Sequence, residues 1–285
     1  MIEKKLSFVL LILTFCLLLL GGIVHGTGSS LACPDWPLCY GSFFPTMKGG
    51  IAIEHSHRLL AATVGLLTGI QAILLWKRYP HSPLSRLGVL CFLLVVFQGT
   101  LGGLTVLYKL PTLISVAHLG TSMIFFSLVV SLFWRLREQG IGQSETLGSG
   151  EKKWIWFVTG IVYLQIILGA LVRHTGSGVV CPDIPFCFGR LWPQGSHPMV
   201  ILHMTHRWMA IFVAVILIWF PINFFKRVKT PTQRLLLVAA PLLVLTQIIL
   251  GLWSVASFLS VPVVTAHLGV AAMLLGTLVS LLVTV

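Results

Sequence analysis

The chain has 285 residues, of which 56% are hydrophobic and only 9% charged. A soluble domain carries roughly 25% charged residues, so a large water-soluble fold is excluded. The net charge of +12 would suit a nucleic-acid binder, but its distribution along the chain argues against that reading.

Taken in order, the apolar stretches predict eight membrane spans at 6–25, 51–76, 87–108, 111–134, 154–172, 199–225, 235–256 and 262–285. Each approaches or exceeds the roughly 18–20 residues that cross about 30 Å of hydrocarbon. The first span, behind Lys4 and Lys5, has the outline of a signal peptide. A similar span-plus-loop unit recurs mid-chain, so it is read as a true span. Lys4, Lys5, Lys77, Arg78, Arg86, Arg135, Arg137, Lys152, Lys153, Lys226, Arg227, Lys229 and Arg234 fall on one side of this arrangement. Only Lys48, Lys109, Arg173 and Arg190 fall on the other. This is the positive-inside pattern. It predicts cytoplasmic termini and outward-facing loops at 26–50 and 173–198.

The sequence repeats. TGSSLACPDWPLCYG at 27–41 returns as TGSGVVCPDIPFCFG at 175–189, an offset of 148. Further along the offset is 149: HSHR (55–58) answers MTHR (204–207), VAHLG (116–120) answers TAHLG (265–269), and Gln98 and Gly102 answer Gln247 and Gly251. The matches lie in Cys, Pro, Asp, His and Gly, which chance similarity among apolar segments would not produce. The expected fold is all-α: eight transmembrane helices forming two repeated four-helix bundles, 1–135 and 154–285, joined by a polar linker at 136–153. An even number of spans per half makes the repeat parallel, about an axis along the membrane normal.

Cys33 and Cys39 form a C-x5-C pair in one outer loop, and Cys181 and Cys187 form another. Outside the cytoplasm such pairs read first as structural disulfides, with a redox-active pair and a metal site as alternatives. Cys16 and Cys91 are small apolar fillers within spans.

Four histidines carry the strongest chemical pattern. His57, His118, His206 and His267 each lie about 5–8 residues into a span descending from the outer side. That puts them roughly 8–12 Å deep at about 1.5 Å per residue. Two imidazoles at one level in each four-helix unit suit bis-histidine ligation of haem iron, ahead of zinc or copper. A satisfied interhelical hydrogen bond is the plainer reading of any one of them. Gly99, Gly102, Gly103 and Gly120 in the first half, and Gly251 and Gly269 in the second, offer room for a macrocycle. Arg58 and Arg207 follow two of the histidines. They read equally as snorkelling interfacial cations or as partners of haem propionates.

Glu54 is the only acidic residue inside any of these spans, where an ionisable group is costly. At i against His57 at i+3, it shares that ligand's helix face. The second half has His203 at the matching position. A pure electron carrier has no need of this asymmetry, whereas one reacting site beside one helper site does. A structural partnership with Arg58 or a neighbouring histidine is the alternative for Glu54. His55 points off this face and is read as secondary. His25 and His174 look interfacial, and His81 and His197 are loop residues with no assigned task.

Taken together, the CPDWPLC loop, IEHSHR, VAHLG, the CPDIPFC loop, HMTHR and TAHLG resemble the bacterial haem A synthase family across all eight spans. That resemblance implies oxidation of a ring methyl of haem O to a formyl group, giving haem A for cytochrome c oxidase. It implies His57 and His118 as ligands of the substrate haem, His206 and His267 as ligands of a resident haem b, and Glu54 as the carboxylate at the reacting methyl. It also implies Cys33–Cys39 and Cys181–Cys187 disulfides. The expected location is the cell (inner or plasma) membrane. The expected partners are the lipid bilayer, the enzyme that makes haem O, an electron donor and a second copy of the chain, with no nucleic acid. The competing readings are a membrane b-type cytochrome passing electrons without haem modification, a haem chaperone, and a repeat-built transporter. The last lacks the broken helices expected near the midplane.

Overall fold

A computed structural model describes residues 1–138, 148–193, 197–228 and 230–284. Half of the expected linker, 139–147, together with Lys229 and Val285, therefore lies outside the described residues. Among the described residues the fold is all-helical, with eight helices long and apolar enough to cross a membrane. They are α1 (Ile2–Gly26), α2 (Gly49–Arg78), α3 (Pro83–Leu107), α4 (Thr112–Arg137), α5 (Ser149–His174), α6 (Pro198–Phe224), α7 (Pro231–Ala256) and α8 (Val261–Thr284). Each expected span falls within or close to one of them. Most extend two to five residues further at an end, because polar caps and flanking charges continue the backbone ladder past the apolar stretch.

Local sequence sets the ends. α3 and α7 begin with proline at the first helical position, behind Ser82 and Thr230. The missing proline N–H costs nothing there. Ser82 accepts from the Ser85 N–H, and Thr230 forms a reciprocal capping box with Gln233. α6 likewise starts on Pro198, capped by the His197 side chain. α1 and α5 both stop at a left-handed glycine, Gly28 (φ 68°) and Gly176 (φ 71°), a conformation that a side chain would resist.

The chain divides into two compact units, Met1–Ile141 and Gly142–Val285. Within the first, α1 packs on α2, α2 on α3, α3 on α4 and α4 back on α1. In the second, α5 to α8 close the same ring. Each unit is layered along its axis. Away from the disulfide loops the interior is apolar. In the first unit Leu10, Val64, Cys91, Phe125 and Val129 meet there, with every helix contributing. In the second, Ile155, Phe220, Phe224, Val228, Leu237 and Leu281 do the same. An ion pair ties the first helix of each unit to the end of the second or the turn just after it: Glu3 with Arg78 at 3.4 Å, and Glu151 with Arg227. These pairs are themselves repeat-related (3 to 151, 78 to 227). The layer nearer the disulfide loops holds the histidines.

Candidate functional site

In the first unit the segment between α1 and α2 folds back over the bundle. The Cys33–Cys39 disulfide is formed. Cys39 and Ser42 exchange backbone hydrogen bonds, and the Asp35 carboxylate accepts from the N–H groups of Tyr40 (2.6 Å) and Gly41 (2.8 Å). These bonds, the Gly41 N–H foremost, hold the Asp35 carboxyl below the usual aspartate range. The second unit repeats the construction. Cys181–Cys187 is closed, and Asp183 accepts from Phe188 (2.8 Å) and Gly189 (2.7 Å). The Gly189 N–H is the main cause of its lowered pKa.

An arginine on the following helix clamps each loop. Arg58 Nη1 donates to the carbonyls of Asp35 (2.6 Å) and Leu38 (2.5 Å), and Nη2 to that of Cys33 (2.9 Å). Arg207 makes the equivalent set, to Asp183 (2.8 Å), Phe186 (2.8 Å) and Cys181 (2.7 Å). Neither lipid snorkelling nor propionate binding anticipates these bonds. The five donors of a guanidinium in a fixed fork suit a set of converging carbonyls, and the loop sequence gave no hint of where those carbonyls would point.

The two clamps differ in their remaining partner. Glu54 is buried, only 3% exposed. Its Oε1 accepts from Arg58 Nη2 at 2.5 Å and its Oε2 from the Cys33 N–H at 2.8 Å. Arg207 instead donates from Nε to Nε2 of the buried His203 at 3.2 Å. His55 is buried too, with Nε2 at 3.1 Å from the Phe43 carbonyl. It lies within 4.8 Å of both Cys33 and Cys39 sulfurs. Those sulfurs are bonded to each other, so they offer no thiolate pair to a metal here. The repeat counterpart of His55 is Met204, which packs on the Cys181–Cys187 pair.

Beneath the loops, each of the four histidines rests on a glycine of the neighbouring helix. A Cβ placed on Gly21 would sit 3.2 Å from His57 Cε1, and one on Gly102 3.2 Å from His118 Cε1. On Gly169 it would lie 3.0 Å from His206 Cε1, and on Gly251 3.4 Å from His267 Cε1. Gly102 and Gly251 were anticipated as room-makers, for a macrocycle rather than for the imidazole itself. Gly21 and Gly169 were not anticipated, although their spacing of 148 is the repeat offset and would have found them. Gly103 serves something else: the Trp36 indole lies against it, 2.7 Å from where a Cβ would be. The matching residues in the second unit are Ile184 and Leu252.

His57 and His118 lie within electrostatic reach of each other, as do His206 and His267. All four are half-buried by accessible surface. Gln98 and Gln247 donate to the backbone carbonyls of His118 (2.5 Å) and His267 (2.7 Å). Gln165 donates to the His206 carbonyl at 3.0 Å and lies 3.1 Å from its Nδ1. Nδ1 of His57, His118 and His267 is buried without a hydrogen-bond partner. A buried polar atom left unpaired is costly. Imidazole pairs, glycine relief and the unpartnered ring nitrogens of His57, His118 and His267 together fit a metal-centred planar group in each unit, as axial ligation of haem requires.

A multi-pass membrane protein with two histidine pairs of this kind belongs to the class of integral-membrane haem proteins. Residues 4–52 and 48–279 match the COX15-CtaA family of cytochrome oxidase assembly proteins. The chain is 32% identical to a haem A synthase of Shouchella clausii, over 85% of its own length and 82% of that relative's. A haem A synthase of Bacillus pumilus is 30% identical over 96% of this chain and 92% of its own. One from Bacillus cereus is 34% identical over 71% and 67%. The chain therefore belongs to the COX15-CtaA family and is an enzyme of the haem A synthase type, acting in haem A biosynthesis.

Proposed function

We propose that the enzyme takes haem O as substrate and oxidises one ring methyl to a formyl group, yielding haem A for cytochrome c oxidase. The methyl is oxidised by two electrons to an alcohol and by two more to a gem-diol, which loses water to leave the aldehyde. Each oxygen atom comes either from O2, with two electrons and two protons from a donor and the second atom leaving as water, or from water, with two electrons and two protons passed on. His57 and His118 hold the substrate in the first unit. His206 and His267 hold haem b in the second, and when bound that haem supplies one-electron transfer. Glu54 serves the reacting methyl, either by stabilising developing positive charge on the carbon or by relaying a proton. A propionate contact from Arg58 or Arg207 would be additional to their bonds with the loops. The lysine and arginine distribution supports cytoplasmic termini, with the disulfide loops on the far side.

The observation that carries this reading is the carboxylate buried on the face of the first unit's histidine pair. Both units present a histidine pair in glycine cradles beneath a clamped disulfide loop, but only the first adds Glu54. An electron-transfer cytochrome leaves that difference without a purpose. The test is extraction and chromatography of haems from cells making haem O together with either this protein or its Glu54→Ala variant. Haem A, or its alcohol precursor, in the first and not the second is expected. Haem O and haem b alone in both, with bis-histidine spectra intact, would leave a b-type cytochrome instead.

A further inference from the structure

Glu54 reaches the disulfide loop through two bonds, and one of them comes from Arg58. The same guanidinium holds three loop carbonyls. Its counterpart Arg207 holds the same three carbonyls of its own loop and meets an imidazole where Arg58 meets the carboxylate. Clamping the loop is thus common to both units, and charge pairing belongs to the first alone. A carboxylate buried in an apolar bundle is stable as an anion only when its charge is met. The Arg58 guanidinium, 12% exposed at its side chain, and the Cys33 N–H meet it from the loop side.

We propose that Arg58 is a positioning residue for Glu54: its guanidinium fixes the carboxylate's orientation through their ion pair, so that activity depends on the positive charge at residue 58 beyond its grip on the loop. This rests on the reading of Glu54 as the carboxylate at the reacting methyl. Arg207, which has no carboxylate to position, carries no such charge requirement.

Lysine and glutamine at each site separate the two roles. Lysine keeps the charge but cannot fork across three carbonyls, and glutamine keeps neither. Conversion of supplied haem O is compared in Arg58→Lys, Arg58→Gln, Arg207→Lys and Arg207→Gln, with haem content per polypeptide as a check on assembly. The expected result is that Arg58→Lys converts about tenfold faster than Arg58→Gln, roughly one pKa-unit equivalent of free energy. The two Arg207 variants should match each other. Lysine failing to improve on glutamine at residue 58, or improving equally at 207, would overturn the proposal.

Thermal unfolding of Glu54→Gln, Arg58→Gln and their double variant gives a readout independent of turnover. A double variant no less stable than the worse single is expected, and fully additive losses would overturn the pairing. If Arg58→Gln yields no assembled protein, the same cycle is run with Arg58→Ala and Arg58→Lys, where only lysine should keep its coupling to Glu54. Wild type that makes no haem A product would instead overturn the functional reading, while the unfolding cycle still judges the pairing.

Discussion

The two units hold their disulfide loops by the same means and differ in what lies just beneath. Three carbonyl bonds from one arginine, an aspartate capping two amides, and a histidine pair resting on glycines recur in both. Four positions depart from this common frame. Glu54 faces its arginine where the second unit has His203. His55 lies by its disulfide where the second has Met204. Trp36 lies on Gly103 where the second has Ile184 and Leu252. Gln165 reaches His206 where the first unit has Leu17. Three of the four put the more polar or bulkier group at the loop end of the first unit. On the proposed reading, the shared frame serves haem binding and the departures serve chemistry confined to the first unit.

The largest expected effect breaks the comparison at its centre. Glu54→Gln should lower conversion of haem O at least about 100-fold, as loss of an acid–base group does. His203→Gln, whose amide oxygen can still accept from the Arg207 guanidinium, should cost about fivefold at most. Product chromatography against a time course checks both.

The glycine cradles should rank by clearance. Gly169→Ala puts a methyl 3.0 Å from His206 Cε1, tighter than ordinary contact. Overpacking of this kind costs about 1–3 kcal/mol, so haem content per polypeptide should fall roughly tenfold under limiting haem. Gly21→Ala and Gly102→Ala at 3.2 Å should fall less, and Gly251→Ala at 3.4 Å least. Pyridine haemochrome spectra of the purified variants give the ranking.

The loops themselves should respond alike. Asp35 and Asp183 both have pKa values below that of a free aspartate. A depressed carboxyl contributes stability that is complete above the unfolded-chain value of about 4 and is lost as pH falls through the folded value. Hydrogen-exchange protection at Tyr40, Gly41, Phe188 and Gly189 should therefore weaken together only at pH below about 4. A response confined to one loop would show that the frame is less symmetric than its bonds.

The smallest effect is expected at Gln98→Leu and Gln247→Leu. Gln247→Leu removes one bond between helices, to the His267 carbonyl, and Gln98→Leu removes two, to the His118 carbonyl and from the Thr121 hydroxyl, each worth about 0.6 kcal/mol in a membrane protein. Small losses in thermal stability, the larger at Gln98, are the expected outcome.

Much of this architecture is legible from the sequence because lipid enforces it. Backbone groups in hydrocarbon must be satisfied internally, so long apolar runs become helices, and all eight spans could be read to within a few residues. The four histidines stood out because matched depth is a simple count along a helix. What escaped depends on chain segments without periodicity. Nothing in CPDWPLC indicates that the carbonyls of Cys33, Asp35 and Leu38 converge on one guanidinium, so the roles considered for Arg58 and Arg207 omitted their main contacts. Glu54 was placed on the His57 face by its spacing, but its bond to the Cys33 N–H spans 21 residues of irregular loop. Gly21 and Gly169 were overlooked because glycine in an apolar helix is common. Only its position opposite a histidine gives it meaning.

Every polar partnership described above closes inside its own unit. Glu3 meets Arg78, Gln71 reaches back to the Glu3 carbonyl, Glu54 meets Cys33, and Gln98 meets His118. Beyond them the second unit starts afresh with Glu151 and Arg227. For a chain threaded into the bilayer from its N-terminus, these bonds of the first ring can therefore close while the second is still being synthesised. None of them need wait in lipid for a distant partner.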